Sequence, residues 1–339
     1  MTSAAIIITC YNLERYVGDA IRSVLAQTFD GEVEIVAVDD CSTDESATII
    51  QSFPEVRYVR TERNSGVLLA TLAGIEASGG DVLCFLDGDD LWEPNKLAQV
   101  MAAFAPDKRL GLVTHDLIYV DQANAPLDRV TRPSAEMAGS PPSRYSEKIR
   151  SGILQIGDYV WLGSAYSVRR SVCDLEGFAR FARALPNPAN TYQDWPLAYW
   201  VAARADVELG YIPEKLFRYR LHQLNHSGDA GTPDKMVRNL ARTRNTNEAL
   251  LEIAQRRNLP RDIAIIVEER IRFCDYLIAL YDRRRLSAAA KFLTSAADLR
   301  RRKVFAKELL RFCAVSLIGP ACFSRLASRR TILRNLPTT

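Results

Sequence analysis

Within the first 92 residues, short apolar runs alternate with segments of helical period, and few folds accommodate that alternation. Ala4-Ala5-Ile6-Ile7-Ile8-Thr9 reads as a strand. Residues 13 to about 29 follow as a helix, in which Tyr16, Val17, Ala20, Ile21, Val24 and Leu25 recur at helical spacing. Strands at 34–38, 56–59 and 82–86, with a helix from about 66 to 78, continue the series. Such alternation predicts a mostly parallel sheet flanked by helices and joined by right-handed crossovers.

In such sheets ligands lie outside the carboxyl ends of the strands, so the residues at those ends carry the functional expectation. Three strand ends place polar groups on one rim: Thr9 and Tyr11, then Asp39 and Asp40, then Asp87 and Asp89. The last end is the most charged, with Asp87, Asp89 and Asp90 packed into Phe85-Leu86-Asp87-Gly88-Asp89-Asp90-Leu91-Trp92. Carboxylates are hard ligands for Mg²⁺ or Mn²⁺, and one or two of them with substrate phosphates suffice to hold the ion. A solvated acidic turn, with Asp89 or Asp90 capping a helix from about Pro94, is the competing reading.

The rim suits a nucleotide. Tyr11 can stack on a base, and the Asp40 carboxylate can accept an imide N–H. Ser42 and Asp44 read more simply as helix caps. Neither GxxxxGK[ST] nor GxGxxG follows the first strand, so phosphates would be neutralised by metal and side chains.

Five segments, in order, resemble the inverting nucleotide-sugar glycosyltransferases of family two. They are Ile6-Ile7-Ile8-Thr9-Cys10-Tyr11-Asn12, Ser23-Val24-Leu25-Ala26-Gln27-Thr28-Phe29, the run from Glu34 to Asp44, Asn64-Ser65-Gly66, and the run from Phe85 to Trp92. The resemblance implies a GT-A fold: an α/β, mostly parallel mixed sheet flanked by helices. It also implies that Thr9, Tyr11 and Asp40 hold the nucleoside, and that Asp87-Gly88-Asp89 is the D-x-D motif, with Asp87 touching both nucleotide and metal. Leu72, where many members carry Asn, and Cys41, where Gly is frequent, depart from the pattern without removing a charged group.

Residues 122–151, rich in Pro, Ser and Arg, read as a long loop, either a lid over the sugar or a plain surface segment. Tyr192-Gln193-Asp194-Trp195-Pro196 occupies the place of the family's acidic pair, so Asp194 is the implied general base; a helix-capping Asp is the alternative. Phe217-Arg218-Tyr219-Arg220-Leu221-His222-Gln223-Leu224-Asn225-His226-Ser227 resembles the family's Y-R-x-H-x-x-N-x-S segment. By that match His222 is a metal or diphosphate ligand and Arg220 a phosphate contact, while Arg218 and His226 are surface groups.

At 339 residues the chain exceeds one ordinary core. The expected division is 1–230 as the transferase domain (1–92 donor half, 93–230 acceptor half) and 231–339 as a helical C-terminal region. Seven Cys without C-x-x-C spacing and no apolar run of spanning length point to a cytoplasmic protein. From Arg300 onward there are ten Lys or Arg against Glu308 alone, around an apolar stretch at 309–323. That composition suits either peripheral contact with anionic lipid or a helical cap with a solvated basic face. Nucleic acid is not expected, since aromatic interleaving and a recognised module are missing; a homo-oligomer is compatible with the helical region.

The expected function is metal-dependent inverting transfer of a sugar from a nucleoside diphosphate, UDP or dTDP, to a hydroxyl of a polysaccharide or lipid-linked glycan. Two alternatives stand beside it: transfer to a polyprenyl phosphate, which needs no base, and a catalytically silent nucleotide-binding scaffold of a glycan-assembly complex.

Overall fold

The computed structural model describes residues 3–128, 137, 140–156, 163–222, 232–295 and 305–322. The chain divides into two compact units, residues 1–221 with 253–259, and residues 222–252 with 260–339. The division thus falls at Leu221, ahead of the expected 230, and His222 opens the second unit.

The first unit is built on an eight-stranded mixed sheet: β1 Ala4–Cys10, β2 Val33–Asp39, β3 Arg57–Arg60, β4 Val82–Asp87, β5 Leu91–Trp92, β6 Leu110–Val120, β7 Ser167–Arg169 and β8 Glu208–Arg220. Their order is β3-β2-β1-β4-β7-β6-β8-β5. β1 pairs in parallel with both β2 and β4, so the chain runs outward through β2 and β3 and then returns to the other side of β1. That reversal opens the crevice in which open α/β sheets bind ligands.

All seven residues of β1 are buried, as a strand covered on both faces requires. Ile6, Ile8, Ile35 and Ala37 share one core with Val17, Ala20, Ile21 and Val24 of α1 (Val17–Leu25). The alternate residues Val36 and Val38 pack with Ala70 of α3 (Val67–Ala77), and a Cβ on Gly74 of that helix would lie 2.4 Å from Ile7. Each fully buried Ile or Val contributes roughly 1.5–3 kcal/mol, so this sandwich is a stiff base for the loops above it.

Several local expectations shift. The first helix begins at Val17, because residues 13–16 close a turn through Leu13 C=O. Between β2 and β3, Asp44 accepts the Ser46 N–H at the start of α2 (Ser46–Gln51) at 3.0 Å, and Ser42 and Asp44 also accept the Asn12 and Glu14 N–H groups and lace the first two rim loops together. α4 (Lys96–Phe104) starts at Lys96 with Asn95 before it, so neither Asp89 nor Asp90 caps it. The supposed loop at 122–151 ends in a short 3₁₀ turn and α5 (Tyr145–Leu154), which buries Ile149, Gly152 and Ile153. α6 (Leu175–Arg183) and α7 (Asp194–Ala202) complete this unit, together with residues 253–259.

The second unit is helical, comprising most of α8 (Pro233–Arg256) with α9 (Arg261–Tyr281), α10 (Arg285–Thr294) and α11 (Phe305–Ile318). Tyr276, Leu277, Leu280, Ala288, Phe292 and Val315 form its core, where Phe292 stacks on Phe312. Among the described residues no helix is long and apolar enough to cross a membrane.

Candidate active site

β1 and β4 run in register with Thr9 opposite Asp87, and the Thr9 hydroxyl donates to Asp87 Oδ1 at 3.3 Å. Gly88 N–H donates to Thr9 C=O at 2.9 Å, so the carboxylate-bearing turn is tied directly to the end of β1. Tyr11 stands on the next loop with 40% of its surface exposed, available for a planar ligand.

At the end of β2 the two aspartates divide their work. Asp39 is fully buried and accepts from Ser42 N–H, Tyr58 and Arg60 at 2.8–2.9 Å, which fixes the strand end. Asp40 Oδ1 accepts from Thr61 Oγ1, Ser65 N–H and Ser65 Oγ, and Oδ2 from Gly66 N–H, all at 2.7–2.8 Å. Asp40 therefore organises the 61–66 loop. Gly66 has φ +82° and a Cβ there would lie 2.2 Å from Ala189 C=O, so the Asn64-Ser65-Gly66 motif requires glycine for two independent reasons. Cys41 holds φ 62°, a conformation that glycine adopts without strain.

The acidic cluster separates by environment. Asp87 and Asp89 are half-buried, whereas Asp90 is 1% exposed. Asp90 accepts the Ser164 hydroxyl at 2.7 Å and the Arg220 N–H at 3.0 Å, tying the end of β8 to the turn. Burial first, then Asp89 and Asp87, holds its carboxyl well above the ordinary range. Burial, then Asp89 and then Asp194, pushes Asp87 up to about 7.

Asp194 arrives from the first turn of α7, at the positive end of the helix dipole. It does not cap the helix; its carboxylate accepts the Trp195 N–H at 3.0 Å. Burial pushes its carboxyl up to about 6, against lowering by backbone N–H groups that include Gly163. A Cβ placed on Gly163 would lie 3.6 Å from Asp87 Oδ2, 3.7 Å from Asp194 Cβ and 2.9 Å from Gln193 Nε2. The fold thus brings the two carboxylates to one small space beside a bare glycine. Gln193 links them further: its amide donates to Asp87 Oδ1 at 2.8 Å and meets the Thr71 hydroxyl.

Arg220 and His222 are placed differently. The Arg220 guanidinium is 3% exposed, lies over the Tyr16 ring at 4.9 Å, and donates to Gln122 C=O and Asp19. Arg218 is half-buried and pairs with Glu93 at 2.6 Å rather than lying bare on the surface. His222 is buried and is the first residue of the second unit. Asn225, His226 and Ser227 lie outside the described residues.

Among the described residues no three of His, Cys, Asp and Glu converge to hold a metal by themselves. A divalent ion that takes one or two carboxylates and completes its shell with phosphate oxygens and water needs no such triad. Asp87 and Asp89, close enough to raise the Asp87 carboxyl, fit that role.

Sequence reasoning missed Ser164 and Lys96. Ser164 accepts the Asp87 N–H at 3.1 Å while donating to Asp90. Lys96, fully buried, donates to Ser164 C=O. A signal was present: Lys96, Val100 and Phe104 recur at a spacing of four on the inward stripe of α4, where lysine is out of place.

The family "Glycosyl transferase family 2" matches residues 5–171. An uncharacterized glycosyltransferase of Nostoc sp. is 30% identical over 256 residues, covering 72% of this chain and 73% of its own. Among solved structures, TarS of S. aureus, in complex with UDP-GlcNAc, superposes with TM-score 0.51 at 16% identity, covering 88% of this chain and 92% of its own. The mannosyltransferase PcManGT of Pyrobaculum calidifontis, with GDP-Man and Mn²⁺, superposes with TM-score 0.51 at 14% identity, covering 93% and 87%. At these identities the two structures speak to the fold, and they share the mixed sheet with flanking helices.

Proposed function

Because the chain belongs to glycosyl transferase family 2 and is a glycosyltransferase, we propose that it transfers a sugar with inversion from a nucleoside diphosphate to an acceptor hydroxyl, using Asp194 as base. The observation that carries this reading is the meeting of Asp87 and Asp194 at Gly163. An inverting displacement needs one carboxylate beside the acceptor and another group at the leaving diphosphate, with the anomeric carbon between them.

Thr9, Tyr11 and Asp40 line the nucleoside end, with Asp40 presenting the 61–66 loop it holds in shape. Asp87 and Asp89 would hold Mn²⁺ or Mg²⁺ beside the diphosphate, and the ion would offset charge developing on the leaving group. Asp194 takes the proton of the acceptor hydroxyl as that oxygen bonds to the anomeric carbon. The carbon–oxygen bond to the diphosphate breaks, and its electron pair leaves with the diphosphate. A base whose carboxyl titrates near 6 is ionised at neutral pH yet still basic enough to accept a proton. Gln193 keeps Asp87 oriented. Arg220, turned toward Asp19 and Tyr16, would reach phosphate by changing rotamer.

The UDP-GlcNAc of TarS and the GDP-Man with Mn²⁺ of PcManGT support a nucleotide-sugar donor and a divalent ion; UDP or dTDP remains our choice of donor nucleotide. The acceptor we assign is a hydroxyl of a polysaccharide or a lipid-linked glycan, reached at the cytoplasmic face of a membrane. Leu286, Leu293, Leu309, Leu310, Leu317 and Ile318, exposed on α10 and α11, support peripheral contact. Most of the basic tail that motivates this contact lies outside the described residues.

The test is a thermal-shift screen of UDP, dTDP, GDP and ADP, each with and without Mn²⁺ or Mg²⁺. Metal-dependent stabilisation by one diphosphate is expected, since a ligand bound only by the folded state raises its stability. No shift with any of them at millimolar concentration would sink the donor site.

A further inference from the structure

Lys96 takes no part in the mechanism above, yet it is fully buried on the inward stripe of α4. An ammonium without solvent is costly unless specific groups receive it. Two do: Nζ donates to Ser164 C=O at 2.5 Å and sits 3.8 Å from the centre of the Trp92 ring.

What Lys96 grips is the 3₁₀ turn Gly163–Ala165. The Ser164 hydroxyl in that turn accepts the Asp87 N–H and donates to Asp90, and its neighbour Gly163 lies against both Asp87 and Asp194. Asp87 is carried by β4 and Asp194 by α7, elements far apart in sequence, so their separation depends on what lies between them. The short turn lies there, and Lys96 holds it from beneath.

We propose that Lys96 is a positioning residue: by clamping the 163–165 turn through the Ser164 carbonyl, it sets the spacing between Asp87 and Asp194. This rests on the roles given to those two carboxylates above. Its complete burial suits a side chain retained for what it holds rather than for solubility.

The test is hydrogen exchange by mass spectrometry on the full chain, wild type against Lys96→Met, Lys96→Arg and Ser164→Ala, paired with release of nucleoside diphosphate from nucleotide sugars. In Lys96→Met, amides from 163 to 167 and that of Asp87 should exchange at least about tenfold faster while β1 and β2 keep their protection. Its kcat should fall about 10- to 100-fold with KM for the donor within about threefold, because a small misplacement of reacting groups is felt in turnover. Lys96→Arg, which keeps a donor toward the carbonyl, should recover part of both. If Lys96→Met fails to fold, Lys96→Gln, whose amide falls short of the Ser164 carbonyl, carries the same expectation, and Ser164→Ala, which keeps that carbonyl, shows what loss of the hydroxyl alone does to the Asp87 amide. Wild-type exchange at 163–167 would overturn the clamp. A loss of protection spread equally through β1, β2 and β4 would also overturn it, leaving Lys96 a support of the whole sheet. A wild-type chain that releases no diphosphate from any donor would contradict the transferase mechanism, while the exchange pattern still decides the clamp.

Discussion

Single carboxylates in this site differ because their surroundings differ. Asp87, Asp90 and Asp194 all hold protons in the folded chain at pH values where an unfolded chain has lost them. A raised folded-state carboxyl destabilises the native state as pH climbs from the unfolded value to the folded one. Without divalent ion, the thermal midpoint should therefore decline between about pH 4 and pH 7. Added Mn²⁺ should raise it more at pH 8 than at pH 5, and the slope should flatten in Asp87→Asn; calorimetry across pH checks both. Turnover should rise with pH through about 6 as Asp194 ionises. Gly163 offers a second check at this scale. In Gly163→Ala the added methyl would press on Gln193 Nε2 at 2.9 Å, so metal-dependent nucleotide binding should weaken while stability changes by less than about 1 kcal/mol.

At the scale of elements, the strand ends do the positioning. Gly66→Ala should cost about 2–4 kcal/mol in urea unfolding, because it combines positive φ with a backbone clash and loosens the N–H that Asp40 accepts. The β-α-β alternation was legible because β1 and β4 are buried on both faces and write themselves as apolar runs. The D-x-D turn and Asp194 were legible as motifs. The work of Asp90, Ser164 and Lys96 was not, since it depends on β4, α4 and a turn more than 60 residues further on meeting in space. Helix α5 was hidden by its polar face and by the prolines before it, although Ile149 and Ile153 keep helical spacing. Gln193, read only as a departure from an acidic pair, turns out to bond Asp87; a Glu there would bring a further negative charge against it.

At the scale of the whole molecule, the first unit holds the carboxylates proposed for the donor side, and the second has a helical core with leucines exposed on α10 and α11. Leu310 and Leu317 are 71% and 83% exposed and seven residues apart on α11, and Leu286 and Leu293 repeat that spacing on α10. Such pairs lie on one helix face, and the surrounding sequence is rich in Arg and Lys. Wild-type protein should co-sediment with vesicles containing about 30% phosphatidylglycerol and not with phosphatidylcholine alone, and Leu310→Glu with Leu317→Glu should lower that binding at least about tenfold. Self-association of the wild type, lost in the same variant without any vesicle binding, would instead make this face a contact between copies.

The central claim is that Asp194 draws the acceptor proton beside a carboxylate-held diphosphate, and Asp194→Asn tests it most directly. With the donor identified by thermal shift, its metal-dependent binding and that of the wild type should agree within about threefold, while kcat should fall by about 10²–10⁴. A variant that binds donor and turns over at near wild-type rate would contradict the account, because a base that can be removed without loss is not the base.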